Sequence, residues 1–189
     1  MGFYDHDGEQ GKLVRTHRVE LDVDGPSTEV PQLVGRELPD LVLLNDDDLA
    51  YAKIRLDPRS LHTAIAHLGK ITDPLARSLV WGAAWDMTRD AEMRTRDWTE
   101  LVLANIGRET DAWAVTRLPS STALAVNFYS DPAHRAELRA TWEAGLRELL
   151  FSADPGVHRA RDQLLLRPRA PLRAQGDLGE GPARAAARR

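Results

Sequence analysis

The sequence predicts a mixed fold, β first and then mainly α. It comprises part of an antiparallel β-sandwich, an incomplete solenoid-like array of helices, and a disordered basic tail. Three observations carry this. In Arg18-Val19-Glu20-Leu21-Asp22-Val23-Asp24-Gly25 apolar and charged residues alternate, the period of a strand with one wet face. At Asp57-Pro58 the period changes to the i, i+3, i+4, i+7 spacing of a core-facing helix, carried first by Leu61, Ala64, Ile65 and Leu68. After Asp154-Pro155-Gly156 aromatic residues stop and arginine, alanine and proline dominate. The expected division is residues 1–57 for the partial sandwich, 58–155 for the helices and 156–189 for the tail.

Within the first part, strands are expected at Arg18–Gly25, at Leu41–Leu44 and through Leu49–Leu56, with two shorter ones flanking Tyr4 and Val30. Asp24-Gly25-Pro26-Ser27 supplies turn chemistry. The run Asn45-Asp46-Asp47-Asp48 reads as a hairpin turn; a calcium loop needs alternating ligands, a central glycine and a distal bidentate glutamate, and this run lacks that spacing.

The helices follow in order. The first ends at Gly69, placed where a left-handed cap belongs. Asp73-Pro74 gives an N-cap followed by proline at the first helical position, opening a helix with Leu75, Leu79, Val80, Ala83, Ala84, Trp81 and Trp85. A third, from about Thr95, sets Trp98, Leu101, Val102 and Ile106 on one stripe and ends at Gly107. A fourth starts near Asp111, contains Trp113 and is expected to stop near Pro119, since proline lacks the amide the ladder needs. Thr122–Tyr129 then reads as a short separate helix, with Ser120-Ser121-Thr122 as its start. Asp131-Pro132 repeats the cap-plus-proline device before the longest helix, which turns Leu138, Trp142, Leu146, Leu149 and Leu150 inward. Short links between amphipathic helices suggest paired antiparallel packing, as in an α-solenoid. All five tryptophans fall in phase with aliphatic neighbours and are assigned to helix cores.

Composition narrows the chemistry. There are no cysteines, so disulfides, CxxC redox pairs and thiolate metal sites are excluded. The net charge of −4 is uneven: residues 157–189 hold eight arginines against Asp162, Asp177 and Glu180, which leaves an acidic body of −9. Such a body does not attract nucleic-acid phosphates, so no nucleic-acid partner is expected. No apolar stretch approaches the roughly 18 residues of a membrane span, and the first residues lack the basic and apolar segments of a signal peptide. A cytoplasmic location without membrane contact is expected.

Two stretches carry a resemblance. Leu44-Asn45-Asp46-Asp47-Asp48-Leu49-Ala50-Tyr51-Ala52-Lys53-Ile54-Arg55-Leu56-Asp57 leads into Arg59-Ser60-Leu61, and Leu75-Ala76-Arg77-Ser78-Leu79-Val80-Trp81 leads into Trp85-Asp86-Met87-Thr88-Arg89-Asp90. Together they resemble the C-terminal half of bacterial aminopeptidase N, particularly the actinobacterial form, within the gluzincin zinc metallopeptidases. The likeness covers roughly residues 3–155, running from the end of the small β-sandwich domain into the C-terminal helical domain of endoplasmic-reticulum-aminopeptidase type. It implies a parent enzyme that removes N-terminal amino acids from peptides with one zinc ion, its helical domain closing over an enclosed peptide chamber.

The family's chemistry needs HExxH, whose histidines share one helical face so that both bind the metal while the intervening glutamate activates zinc-bound water. Here His6, His17, His62, His67, His134 and His158 are each followed by a residue other than glutamate. The GxMEN loop that grips a substrate amine is also missing around Met1, Met87 and Met93. No catalytic and no metal-binding residue is therefore assigned, and the substrate-binding residues are unknown. The chain is expected to hold no cofactor, the family's zinc belonging to the catalytic domain. Its expected partner is the N-terminal catalytic half, with peptides reached only through the intact enzyme. The alternative is a stand-alone helical interaction module or a subunit of a split peptidase. The tail's composition is what a reading-frame slip in GC-rich DNA produces.

His62 and His67 lie about 140° apart around a helix, too far out of phase to share a metal comfortably. Arg77 and Asp86 are expected to form an inter-helix structural pair rather than to line the chamber.

Overall fold

Strand β1 (Gly2–His6) lies between β2 (Leu13–Arg18) and β3 (Leu41–Leu43) in the computed structural model, which describes residues 1–151; both pairings are antiparallel. Leu41 and Leu43 turn inward while Val42 is half-exposed, the alternation a pleated strand imposes. A bulge between Phe3 and Tyr4 shifts the β1–β2 register.

Two segments expected to be strands form no ladder. Of Arg18–Gly25 only Arg18 and Val19 are paired, Val19 exchanging backbone hydrogen bonds with Met1, and Val23 is 81% exposed. Leu49–Leu56 follows a tight reversal at Asp46–Asp48 but meets no strand, so that reversal closes no hairpin. Near Val30 the chain makes a 3₁₀ turn, Pro31–Leu33, instead of a strand. Alternation gives a segment two faces, but a strand also needs a neighbour for its amides, and beyond Val19 no described strand runs beside these segments.

Asp46, read as part of a solvated turn, is buried. It accepts hydrogen bonds from Tyr4 Oη at 2.7 Å and from Arg15 Nη1 at 2.6 Å. Burial and the neighbouring Asp46 carboxylate push the Tyr4 hydroxyl well above its ordinary range. Asp47 and Asp48 take positive φ, 67° and 53°, a conformation short polar side chains tolerate. Gly2 is required beside this network, because a Cβ there would lie 2.1 Å from Asp46 Oδ2. Gly2→Ala is expected to displace the Asp46 carboxylate and to cost about 1–3 kcal/mol, the scale of leaving buried polar partners unmet. Urea unfolding of the variant checks this, and a loss below about 0.5 kcal/mol would show that the network relaxes freely.

The helices are α1 (Pro58–His67), α2 (Pro74–Arg89), α3 (Thr95–Asn105), α4 (Ala112–Phe128) and α5 (Arg135–Phe151). Asp57, Asp73 and Asp111 cap α1, α2 and α4 through side-chain oxygens that accept first-turn amides. Gly69 is not a left-handed cap; it sits in a 3₁₀ turn, Leu68–Lys70. Glycine is needed there for close approach, since a Cβ would meet Arg108 Cδ at 2.9 Å while the Gly69 amide donates to Asn105 Oδ1 at 2.8 Å.

Pro119 does not end a helix: α4 runs continuously from Ala112 to Phe128 with Pro119 buried inside it. Ser120, Ser121 and Thr122 are therefore mid-helix, not a helix start. Burial explains the override, since Val115, Leu118, Ala125 and Val126 all face the core and hold both halves of the helix in line. Trp98 Nε1 donates to Thr122 Oγ1 at 3.0 Å, fastening α4 to α3 just past the proline.

Helix α3 is central, touching α1, α2, α4 and α5. Trp98, Leu101 and Val102 are fully buried on it, with the Trp81 and Trp85 rings set against Trp98. Trp113, expected in the core, is 67% exposed on the first turn of α4, and Leu75 is also exposed. Sheet residues Tyr4, Leu13, Leu41 and Leu43 belong to the same buried cluster as the helices. The tail, in which Leu164-Leu165-Leu166 is expected to add at most a turn of helix, lies outside the described residues.

Candidate functional site

Four places gather polar chemistry. The most buried joins α2 to the link before α4. Arg77 donates from Nη2 to Glu109 Oε1 at 2.9 Å and from Nε to Oε2 at 3.2 Å; its Nη1 also reaches the carbonyls of Ile71 and Thr72. Trp81 Nε1 donates to Glu109 Oε2 at 2.9 Å, and the amides of Thr110 and Asp111 donate to Oε1. Burial pushes the Glu109 carboxyl upward, but the Arg77 guanidinium, the Trp81 indole and the two amides outweigh it and bring it down to about 2. Arg77 is thus a structural group, as expected, but its partner is Glu109. Asp86 instead lies 3.6 Å from Arg89 on its own helix. Every oxygen of Glu109 is taken, so it has no spare capacity to act as a base.

A second cluster joins β1 to α1. His6 Nδ1 lies 2.8 Å from Asp40 Oδ2, and the His6 and His67 rings meet edge to face with centroids 4.7 Å apart. His67 Nδ1 is buried without a partner, and burial, Lys70 and His6 hold this imidazole below its usual range. His62 is exposed and does not join it.

Third, an open groove of about 850 Å³ lies between α3 and the start of α5, lined among others by Arg94, Glu100, Leu103, Tyr129, His134 and Leu138. Three of its hydroxyls, on Thr99, Ser130 and Thr141, each donate to the carbonyl four residues back. Fourth, Lys53 and Arg55 pair with Asp90 and Glu92, clipping the segment before α1 onto the α2–α3 link.

The zinc implied by the resemblance does not fit any of these places. Among the described residues no three His, Asp or Glu side chains converge as a metal site, and in the His6–Asp40–His67 cluster the His6 Nδ1 is already engaged with Asp40. No described helix is long and apolar enough to cross a membrane. Sequence reasoning missed Glu109 and Asp46, the two buried carboxylates. Arg108-Glu109-Thr110-Asp111 and Asp46-Asp47-Asp48 are polar runs of the kind found in solvated turns, and nothing in them marks one carboxylate as buried.

Comparison with known proteins adds two findings. The profile of the ERAP1-like C-terminal domain family matches residues 41–189. The match therefore begins at the first residue of β3 and continues past Pro155, where the likeness had been expected to fade. Aminopeptidase N from Streptomyces lividans is 51% identical over 156 residues, which make up 82% of this chain and 18% of that protein. The chain thus spans under a fifth of the length of this curated relative.

Proposed function

The chain belongs to the ERAP1-like C-terminal domain family, and from that premise we propose that it forms the opening of the helical wall of an aminopeptidase N-like zinc peptidase. The observation that carries this reading is the 51% identity to a protein named aminopeptidase N over four-fifths of the chain. In this reading the chain is non-catalytic by itself. Zinc, the hydrolytic water and the amine-gripping loop belong to an N-terminal catalytic portion, and peptides in the cytoplasm meet these helices only within the joined enzyme. The part left to this chain is shape: α3 at its centre sets the angles of the helices around it, and the Arg77–Glu109 pair fixes where the link before α4 turns.

The test is complementation. The 189-residue chain is mixed with Streptomyces lividans aminopeptidase N lacking its 156 matched residues, and hydrolysis of an aminoacyl-arylamide is followed. The chain alone is expected to be inactive and the mixture active; activity no higher than that of the truncated enzyme alone counts against the proposal. A stand-alone interaction module is the second reading, favoured by the single buried cluster that unites sheet and helices. It is supported instead if the chain melts cooperatively and leaves the truncated enzyme unchanged.

A further inference from the structure

The seam between the sheet and α1 sets two histidine rings against each other. His6 ends β1, His67 ends α1, and their rings meet edge to face with centroids 4.7 Å apart. Asp40 ties down the His6 side: its Oδ2 accepts from the His6 amide at 3.1 Å and lies 2.8 Å from His6 Nδ1. The ring of His67 lacks such a tie, since its Nδ1 is buried without a partner among the described residues. A proton on this ring would place a charge where burial penalises it. Positive groups already surround it. Lys70 follows on the 3₁₀ turn, His6 stands opposite on β1, and Arg108, from the turn after α3, lies along Gly69. The facing anion is Asp40, which is already engaged, by His6 through Oδ2 and by Arg59 of α1 through Oδ1 at 3.2 Å. The Asp40 amide in turn donates to Asp5 Oδ1 at 3.1 Å. The Ala66 carbonyl and the Asp40 carboxylate favour a charge on His67; burial, Lys70 and His6 oppose it and prevail. From α3, which also packs on α1, the facing polar group is the uncharged Asn105.

We propose that His67 is an acid-sensitive latch on this seam: neutral, it seals β1 and the Asp40 link onto α1, and on taking up a proton it releases them while the helical core stays packed. The sense of the effect follows from burial. The closed seam holds the imidazole below its ordinary range, so the ring takes a proton more readily once the seam has opened. The seam is therefore shut above the ordinary histidine range and loosens as pH falls through it. Asp40 stays ionised throughout, because its bonds to the His6 ring and amide hold its carboxyl below the usual carboxylate range. The opening stays local because α3 grips the other side of α1: Asn105 Nδ2 donates to the Ile65 carbonyl at 2.9 Å, and its Oδ1 accepts from the Gly69 amide at 2.8 Å. The latch belongs to this chain and operates whether or not a catalytic portion is joined to it.

The test is hydrogen–deuterium exchange of the full chain at about pH 7.5 and about pH 5, corrected for the intrinsic pH dependence of amide exchange. The quantity followed is exchange at the seam, residues 2–6 and 64–67, relative to exchange at residues 98–102 of α3. In wild type this ratio is expected to rise at least about threefold on acidification. His67→Phe keeps a ring without a titrating nitrogen, and His67→Gln keeps a polar side chain that stays neutral; in both the ratio is expected to stay level. His62→Gln, on the exposed side of the same helix, is expected to behave as wild type. A wild-type ratio that stays level, whether because nothing opens or because α3 opens as much, overturns the latch. A rise that persists in either His67 variant assigns the titration to another group and overturns the role of His67. Should neither variant fold, the wild-type chain still decides. Its seam is expected to open over the pH range in which the His67 ring protons shift by NMR, and separate ranges overturn the latch.

Discussion

Glu109→Ala is expected to lower folding stability by about 3–5 kcal/mol, because it leaves the Arg77 guanidinium buried without its counter-charge. Both side chains are under a tenth exposed, so solvent cannot take over the role of the carboxylate. The same change orphans the Trp81 indole and the amides of Thr110 and Asp111. Urea unfolding followed by tryptophan fluorescence measures the loss, and a cost under about 1 kcal/mol would mean that the pair is solvated in the folded chain. The double change Arg77→Met with Glu109→Leu is expected to recover much of the deficit, since removing both charges spares the desolvation that breaking one half exposes.

Acid should act through the same group. The Glu109 carboxyl sits near 2 in the fold, below its value in the unfolded chain. Its contribution is therefore fully present above the ordinary glutamate range and disappears as pH falls through that range toward 2. In wild type the unfolding midpoint should drop across this window; in the double variant that part of the drop should vanish.

Trp98→Ala is the second large effect, expected at about 3–5 kcal/mol, the cost of emptying a fully buried aromatic site. The ring is in contact with Trp81 and Trp85, and its Nε1 is the tie to Thr122. Trp98→Phe separates the two contributions: it refills most of the space but removes the donor, and about 1–2 kcal/mol is expected. A Trp98→Ala chain that unfolded with wild-type stability would show that α3 is not the centre of the core.

Much of the helical half was legible because its signals are local. An aspartate followed by proline at 57 and 73 marks a start through chemistry contained within one turn, whereas Asp131-Pro132 forms a turn and α5 begins only at Arg135. The apolar stripes of α1, α3 and α5 need only their own residues to be seen. The β half was less legible because pairing is not local. Arg18–Gly25 and Leu49–Leu56 carry the right alternation, yet whether either becomes a strand depends on a neighbour elsewhere in the polypeptide. Pro119 misled for a related reason. The rule that proline stops a helix compares one lost hydrogen bond with an isolated helix, whereas here several buried side chains on each side of it outweigh that loss. As for the candidate sites, the missing HExxH could be read directly, but the Arg77–Glu109 pairing spans 32 residues and leaves no periodic trace.

The shared core of sheet and helices has a practical side. Leu13 bridges to Ile71, and the Val42 amide is capped by Ser60 Oγ at 2.8 Å, so the β-to-α boundary is stitched on both of its flanks. Excising the helices alone, with a new terminus at Pro58, would take Leu13 away from the buried Ile71, and a protease severing the link near residue 57 should find its two products still clinging together. For anyone trimming this polypeptide for crystallisation or labelling, the place where the secondary structure changes type is not a safe scissor point.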